Sequence, residues 1–149
     1  MPAQLPSCGG ANGDFTLVFA FANTFRRRPC ASVTSGTGSV VSSNIDSNGA
    51  HNYIVKVSRV TNAQLTSVKL NNVADSAGKV STAVSASMGV LIGDINANRV
   101  VSNTDVAAVK AQVAAPVDSS NFRNDVNANG VISNTDVSVT KAQVGTTLP

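Results

Sequence analysis

Tryptophan and glutamate are absent from this chain of 149 residues, and tyrosine and histidine occur once each. With Tyr53 as the sole tyrosine, the aromatic platforms on which sugars stack are missing, which argues against carbohydrate binding. General acid–base chemistry wants a histidine or paired carboxylates held in a cleft. The one histidine, His51, lies in the turn-like stretch Asn48-Gly-Ala-His-Asn52, and there is no Gly-x-Ser-x-Gly nucleophile motif. The chain is therefore not expected to be an enzyme. The two cysteines, Cys8 and Cys30, have neither metal-site spacing nor a redox motif. In an exported chain they are a candidate disulfide bracketing a phenylalanine-rich segment. No apolar run reaches membrane-spanning length, since Phe15–Phe25 is eleven residues long and includes Asn23 and Thr24. No signal peptide is visible. Net charge is +3, and the only basic cluster, Arg26-Arg27-Arg28, lacks interleaved aromatics. Neither a nucleic-acid partner nor a membrane span is expected.

What the chain does contain is a repeat. Asp94-Ile-Asn-Ala-Asn-Arg-Val-Val-Ser-Asn-Thr-Asp105 recurs 31 residues later as Asp125-Val-Asn-Ala-Asn-Gly-Val-Ile-Ser-Asn-Thr-Asp136, and the likeness continues to Val113 and Val144. All eight acidic residues are aspartate, and four of them fall in these two stretches. The shared oxygen-bearing side chains occupy positions 1, 3, 5, 9 and 12 of a twelve-residue loop, the spacing an EF-hand-type calcium loop requires. The expected ligands are Asp94, Asn96, Asn98, the carbonyl of Val100, Ser102 and Asp105. In the second copy they are Asp125, Asn127, Asn129, the carbonyl of Val131, Ser133 and Asp136. Asp/Asn-rich segments also make ordinary turns, but two full sets in one register are hard to obtain by chance.

Each loop offers only two carboxylates, so two calcium sites of extracellular-type affinity, roughly 10⁻⁵ to 10⁻³ M, are expected. Position 6 needs a positive φ, which glycine adopts cheaply. Gly130 meets that need and Arg99 does not, so the second loop is expected to bind more tightly than the first. Ser102 and Ser133, each followed three residues on by aspartate, are helix-start signals of the capping-box kind. Val106, Val109 and Val113, like Val137, Thr140 and Val144, give each following helix one apolar stripe.

A calcium loop followed by a single helix, duplicated and without a clear entering helix, resembles a type I dockerin over roughly residues 93–145. The resemblance implies a secreted or cell-surface bacterial module that docks to a cohesin-like domain. It places partner contacts at loop positions 10 and 11 and at a basic residue on the helix: Asn103, Thr104 and Lys110, then Asn134, Thr135 and Lys141. This sequence departs from that pattern in Arg99, in asparagine at position 10, and in Ala111 and Ala142 where a second basic residue is frequent.

The first part of the chain has another texture. Phe15, Leu17, Phe19 and Phe21 alternate on one face of a predicted strand, as do Tyr53, Val55 and Val57 in Asn52–Arg59. Residues 64–70 and 80–84 are further β-rich runs, and the Ser/Gly/Asn clusters at 35–39, 42–50 and 71–79 read as the turns between them. The expected fold class is mixed. An antiparallel Ig-like β-sandwich over residues 1–89 would precede a small α-helical module with the two calcium loops over 90–149. Tyr53-Ile-Val-Lys-Val, Thr61-Asn-Ala-Gln64, Asn72-Val-Ala-Asp75 and Met88-Gly-Val-Leu-Ile-Gly-Asp94 resemble a sandwich that precedes dockerin-like repeats in bacterial secreted proteins. Such relatives carry a further strand or two before the equivalent of Cys8. Either a first strand is lacking here and leaves an open sheet edge, or the N-terminal residues fray. Two functions follow: a non-enzymatic, calcium-stabilised docking module, or a structural subunit of a surface layer or fibre that assembles with copies of itself.

Overall fold

The computed structural model describes residues 13–149. Its internal contacts divide these residues into two compact units, 13–61 with 66–88, and 62–65 with 89–149. The readings that concern Cys8 and a missing first strand lie outside the described residues.

Six strands are present among the described residues: β1 (Phe15–Ala20), β2 (Cys30–Ser35), β3 (Ser39–Asp46), β4 (Gly49–Ser58), β5 (Gln64–Ala74) and β6 (Val80–Val90). They form two three-stranded sheets, in the orders β1-β4-β3 and β2-β5-β6. The β1/β4, β3/β4 and β2/β5 pairs are antiparallel. Side chains of a strand alternate between faces, and the alternation is visible in what is buried. Leu17 and Phe19 of β1 lie opposite Val55 and Tyr53 of β4, and all four are buried. In β5 Thr66, Val68 and Leu70 are buried in alternation, and Val73 and Ala74 are buried at its end. Tyr53 keeps its hydroxyl satisfied within this apolar layer by donating to the Pro29 carbonyl at 2.6 Å, with Ser43 Oγ at 3.0 Å. Its ring packs on Phe25 at 5.6 Å between centroids, and Phe25 meets Phe21 edge-on at 4.8 Å.

Several expectations are corrected here. The Ser/Gly/Asn cluster at 42–50 is largely strand, because β3 and β4 form a hairpin across Ser47–Asn48 with Asp46 opposite Gly49. The Asp46 side chain caps that turn by accepting the Asn48 amide at 3.0 Å. β5 runs on to Ala74 and β6 to Val90, both beyond their predicted ends. Phe21 falls just outside β1, although its amide still donates to the His51 carbonyl.

The second unit has two helices, α1 (Asn103–Gln112) and α2 (Asn134–Ala142), and a single 3-10 turn at Phe122–Asn124. Val106, Val109, Ile132 and Val137 form its core, with Ile95, Val113, Val117 and Val126 packed against them. Thr140 is fully buried and resolves its hydroxyl by donating to the Asp136 carbonyl one turn back. Val144, predicted to continue the α2 stripe, is exposed, because α2 stops at Ala142.

The expected fold class, a mixed chain ending in a helical module, is also corrected. The chain is mostly β, with two three-stranded sheets against helices of ten and nine residues. The reason lies in the loops. Each holds its backbone by side-chain-to-backbone hydrogen bonds rather than by helical ones, and no α-helix enters either: a turn after β6 leads into the first, and the 3-10 turn leads into the second.

Candidate metal centre

In the first loop, Asp94 Oδ1 accepts the Asn98 amide at 3.1 Å and Oδ2 accepts the Arg99 amide at 2.9 Å. Asn96 Oδ1 accepts the Asn98 amide and Asn98 Oδ1 the Val100 amide, at 3.0 and 2.9 Å. The second loop repeats each bond: Asp125 takes the amides of Asn129 and Gly130 at 3.1 and 2.8 Å, Asn127 that of Asn129, and Asn129 that of Val131. These local bonds are the kind short Asp and Asn side chains make in turns, and here they wind the chain into a coil with its oxygens on one side.

The backbone conformation follows. Position 4 is left-handed in both loops, Ala97 at φ +60° and Ala128 at +54°. Position 6 is left-handed in both as well, Arg99 at +73° and Gly130 at +86°. For an L-residue this conformation costs roughly 1–2 kcal/mol, so the first loop holds a strained arginine where the second has a relaxed glycine.

Position 12 closes each loop and also starts the helix. Asp105 Oδ2 accepts the Ser102 amide at 2.9 Å and its hydroxyl at 3.0 Å, while Ser102 Oγ accepts the Thr104 amide. Asp136 and Ser133 do the same. Both capping boxes expected from the sequence are present, with aspartate in the third position. The other oxygen of Asp105 accepts the amides of Ile95 and Asn96, whereas that of Asp136 accepts only Asn127. An ionised carboxylate has about four lone-pair sites. Asp105 has filled them with protein donors and Asp136 has one to spare.

Burial gives these groups their electrostatic character. Asp105 and Asp136 are fully buried, and Asp94 and Asp125 are 7% exposed. No lysine, arginine or histidine of the described residues pairs with any of the four. Buried carboxylates are normally paired or bind metal. The donor set is oxygen only, as a hard divalent cation prefers. No three His, Cys, Asp or Glu side chains cluster among the described residues, because each loop holds two carboxylates and draws its remaining oxygens from Asn, Ser and the backbone. The residues fit calcium.

Tertiary bonds relate the copies by the same 31-residue offset. Gly145 N–H donates to the Val101 carbonyl and Ala114 N–H to that of Ile132, so each loop is braced by the segment after the other helix. Ala114 and Gly145 are both left-handed. Beyond that point the symmetry breaks. Residues 146–148 continue along the first loop: Val101 N–H donates to Thr146, Val100 bridges Thr147, and Leu148 N–H donates to the Arg99 carbonyl. The Arg99 guanidinium also reaches the Pro149 carbonyl. The chain after Ala114 instead turns away through Pro116, where Asn121 holds the Pro116 carbonyl and the Asp118 amide.

Asn103, Thr104 and Lys110 are all exposed on α1, as are Asn134, Thr135 and Lys141 on α2. Asn103 and Lys110 are seven residues apart, two helical turns, and so share a face. Sequence reasoning missed Asn62, whose side chain accepts the Ile92 amide at 2.7 Å and donates to Gln143 at 2.8 Å. It also missed Asn124, buried and donating to the Ala108 carbonyl of α1. Neither has a local signal, since their partners lie 16 to 81 positions away.

Residues 92–145 match the family model of the dockerin type I domain. The match spans both loops and both helices. Dockerins are non-catalytic, calcium-binding interaction modules that bind cohesin partners, typically outside the cell or at its surface. No curated protein and no solved structure matches the chain. No helix of the described residues is long and apolar enough to cross a membrane.

Proposed function

We propose that residues 92–145 form a calcium-loaded docking module with two sites, one at each loop, that binds a cohesin-like protein outside the cell. The observation that carries this reading is the pair of buried, uncompensated carboxylates in each of two loops with matching hydrogen bonds. Asp94, Asn96, Asn98, the Val100 carbonyl, Ser102 and Asp105 would hold one ion, Asp105 by exchanging one of its four protein donors for the cation. Asp125, Asn127, Asn129, the Val131 carbonyl, Ser133 and Asp136 would hold the other. A bound cation supplies the positive charge these carboxylates lack and thereby stabilises the folded loops and the helices they start. The second site is the tighter, because Gly130 carries no strain and Asp136 keeps a free lone pair. The partner surface is the exposed stripe Asn103–Thr104–Lys110 and its repeat Asn134–Thr135–Lys141.

Calorimetric titration with calcium should show two binding events, and chelation should reduce the helical signal in circular dichroism. Absence of both effects defeats the calcium reading. For docking, immobilised cohesin domain should retain the calcium-loaded protein, and alanine at Asn103, Thr104, Asn134 and Thr135 together should abolish retention. Unchanged retention by that variant would remove this surface from the proposal.

A further inference from the structure

We infer that Asn129 is a latent deamidation site, shut while the second loop is closed, whose product gives that loop a third carboxylate. The inference rests on the calcium reading of this loop. An asparagine followed by glycine is the pair most open to this reaction, because a residue without a Cβ lets its nitrogen reach the preceding side chain. The chain contains three such pairs: Asn12–Gly13, Asn48–Gly49 and Asn129–Gly130. Asn12 lies outside the described residues. The glycine that relieves strain at position 6 of the second loop is the same residue that makes position 5 reactive. The first loop, with Arg99 after Asn98, has the strain and lacks the liability.

The step is balanced without oxidant or reductant. The Gly130 nitrogen attacks Cγ of Asn129. The new N–Cγ bond forms as the side-chain amide leaves as ammonia, which takes up the Gly130 amide proton. Water then opens the succinimide at either carbonyl, leaving aspartate or isoaspartate at position 129.

In the closed loop both reacting groups are held. The attacking Gly130 N–H donates to Asp125 Oδ2 at 2.8 Å, and Asn129 Oδ1 is fixed by the Val131 amide at 2.9 Å. Asn48, by contrast, is exposed at a hairpin tip, and only its backbone amide is engaged. Asn129 is itself exposed, so water can reach the ring once it forms. Nothing lies within 4 Å of where a Gly130 Cβ would be, so the loop's own hydrogen bonds, not packing, are the restraint. Hydrolysis to aspartate raises the ligand carboxylates of this loop from two to three. The isoaspartate route lengthens the main chain by one methylene and misplaces every later ligand.

The test is peptide-resolved mass spectrometry of the full chain aged at mildly alkaline pH in calcium, in chelator and in urea. In calcium, Asn129 should react at least about tenfold more slowly than in urea, with chelator restoring much of the rate, because local opening limits reactions of protected groups. Asn48 should react regardless of calcium. In titration, N129D should bind calcium at the second loop about tenfold more tightly, since affinity follows ligand charge count. Equal Asn129 rates in calcium and urea, or no tightening in N129D while wild type still binds, would overturn this inference alone. No calcium binding by either loop would instead defeat the reading on which it rests.

Discussion

Changing Gly130 to alanine separates backbone strain from every other contribution to the second loop. Its φ is +86° and a Cβ built there meets nothing within 4 Å, so no steric contact is added. The amide that donates to Asp125 Oδ2 is kept. What remains is the left-handed penalty for an L-residue, about 1–2 kcal/mol. If the metal-free loop relaxes, that penalty falls wholly on the bound state and weakens calcium at this site by roughly five- to thirty-fold. Arg99→Gly is the reciprocal change, at φ +73°. It should tighten the first site by a similar factor, less the lost guanidinium contact with the Pro149 carbonyl, worth at most about 1 kcal/mol at an exposed position. Calorimetric titration of wild type, Gly130→Ala and Arg99→Gly reads both directions, with thermal unfolding in calcium as a check on stability. A Gly130→Ala protein with wild-type affinity and wild-type stability would refute the strain argument.

Asp136→Asn should abolish calcium binding at the second loop. It should also cost about 2–3 kcal/mol, because the asparagine NH2 would face either the Ser133 donors or the Asn127 amide, all of which the buried carboxylate now satisfies; retained α2 helicity on heating would contradict this. Tyr53→Phe should destabilise the sheet unit by about 1–2 kcal/mol by leaving the Pro29 carbonyl without its donor, as read by urea unfolding. Asp75 is held below its ordinary 3.8, chiefly by the Asn23 side-chain hydrogen bond, against the opposing effect of desolvation and with help from the Lys79 amide. Its contribution is therefore complete above pH 3.8 and drains as pH falls through the lower folded value. Asn23→Ala should move the Asp75 titration up toward 3.8, visible by carboxyl NMR; an unmoved titration would show that this bond is not the cause.

The loops were legible because the hydrogen bonds that wind their coils and start their helices are close in sequence. Asp94 reaches amides four and five residues on, and Ser102 and Asp105 cap one another three apart. β1, β4 and β5 were legible because each buries alternate residues. β2 and β3 were not, since neither contains a fully buried position and both lie at sheet edges, where half-exposed serines serve as well as valines. The reach of β6 to Val90 was hidden because only Met88 and Val90 of its eleven residues are buried, too few to set up an alternating pattern.

By itself, the sequence determined two metal-type loops, their capped helices and the contrast between Gly130 and Arg99, because those features need only short-range hydrogen bonds and φ preferences. Tertiary structure alone decided that the first loop is braced by residues 145–148 and that the second is left after Ala114, that Asn62 ties Ile92 to Gln143, and that Val144 faces solvent. Those outcomes depend on which distant backbone groups find partners, and such a pairing leaves no periodicity in the chain that makes it.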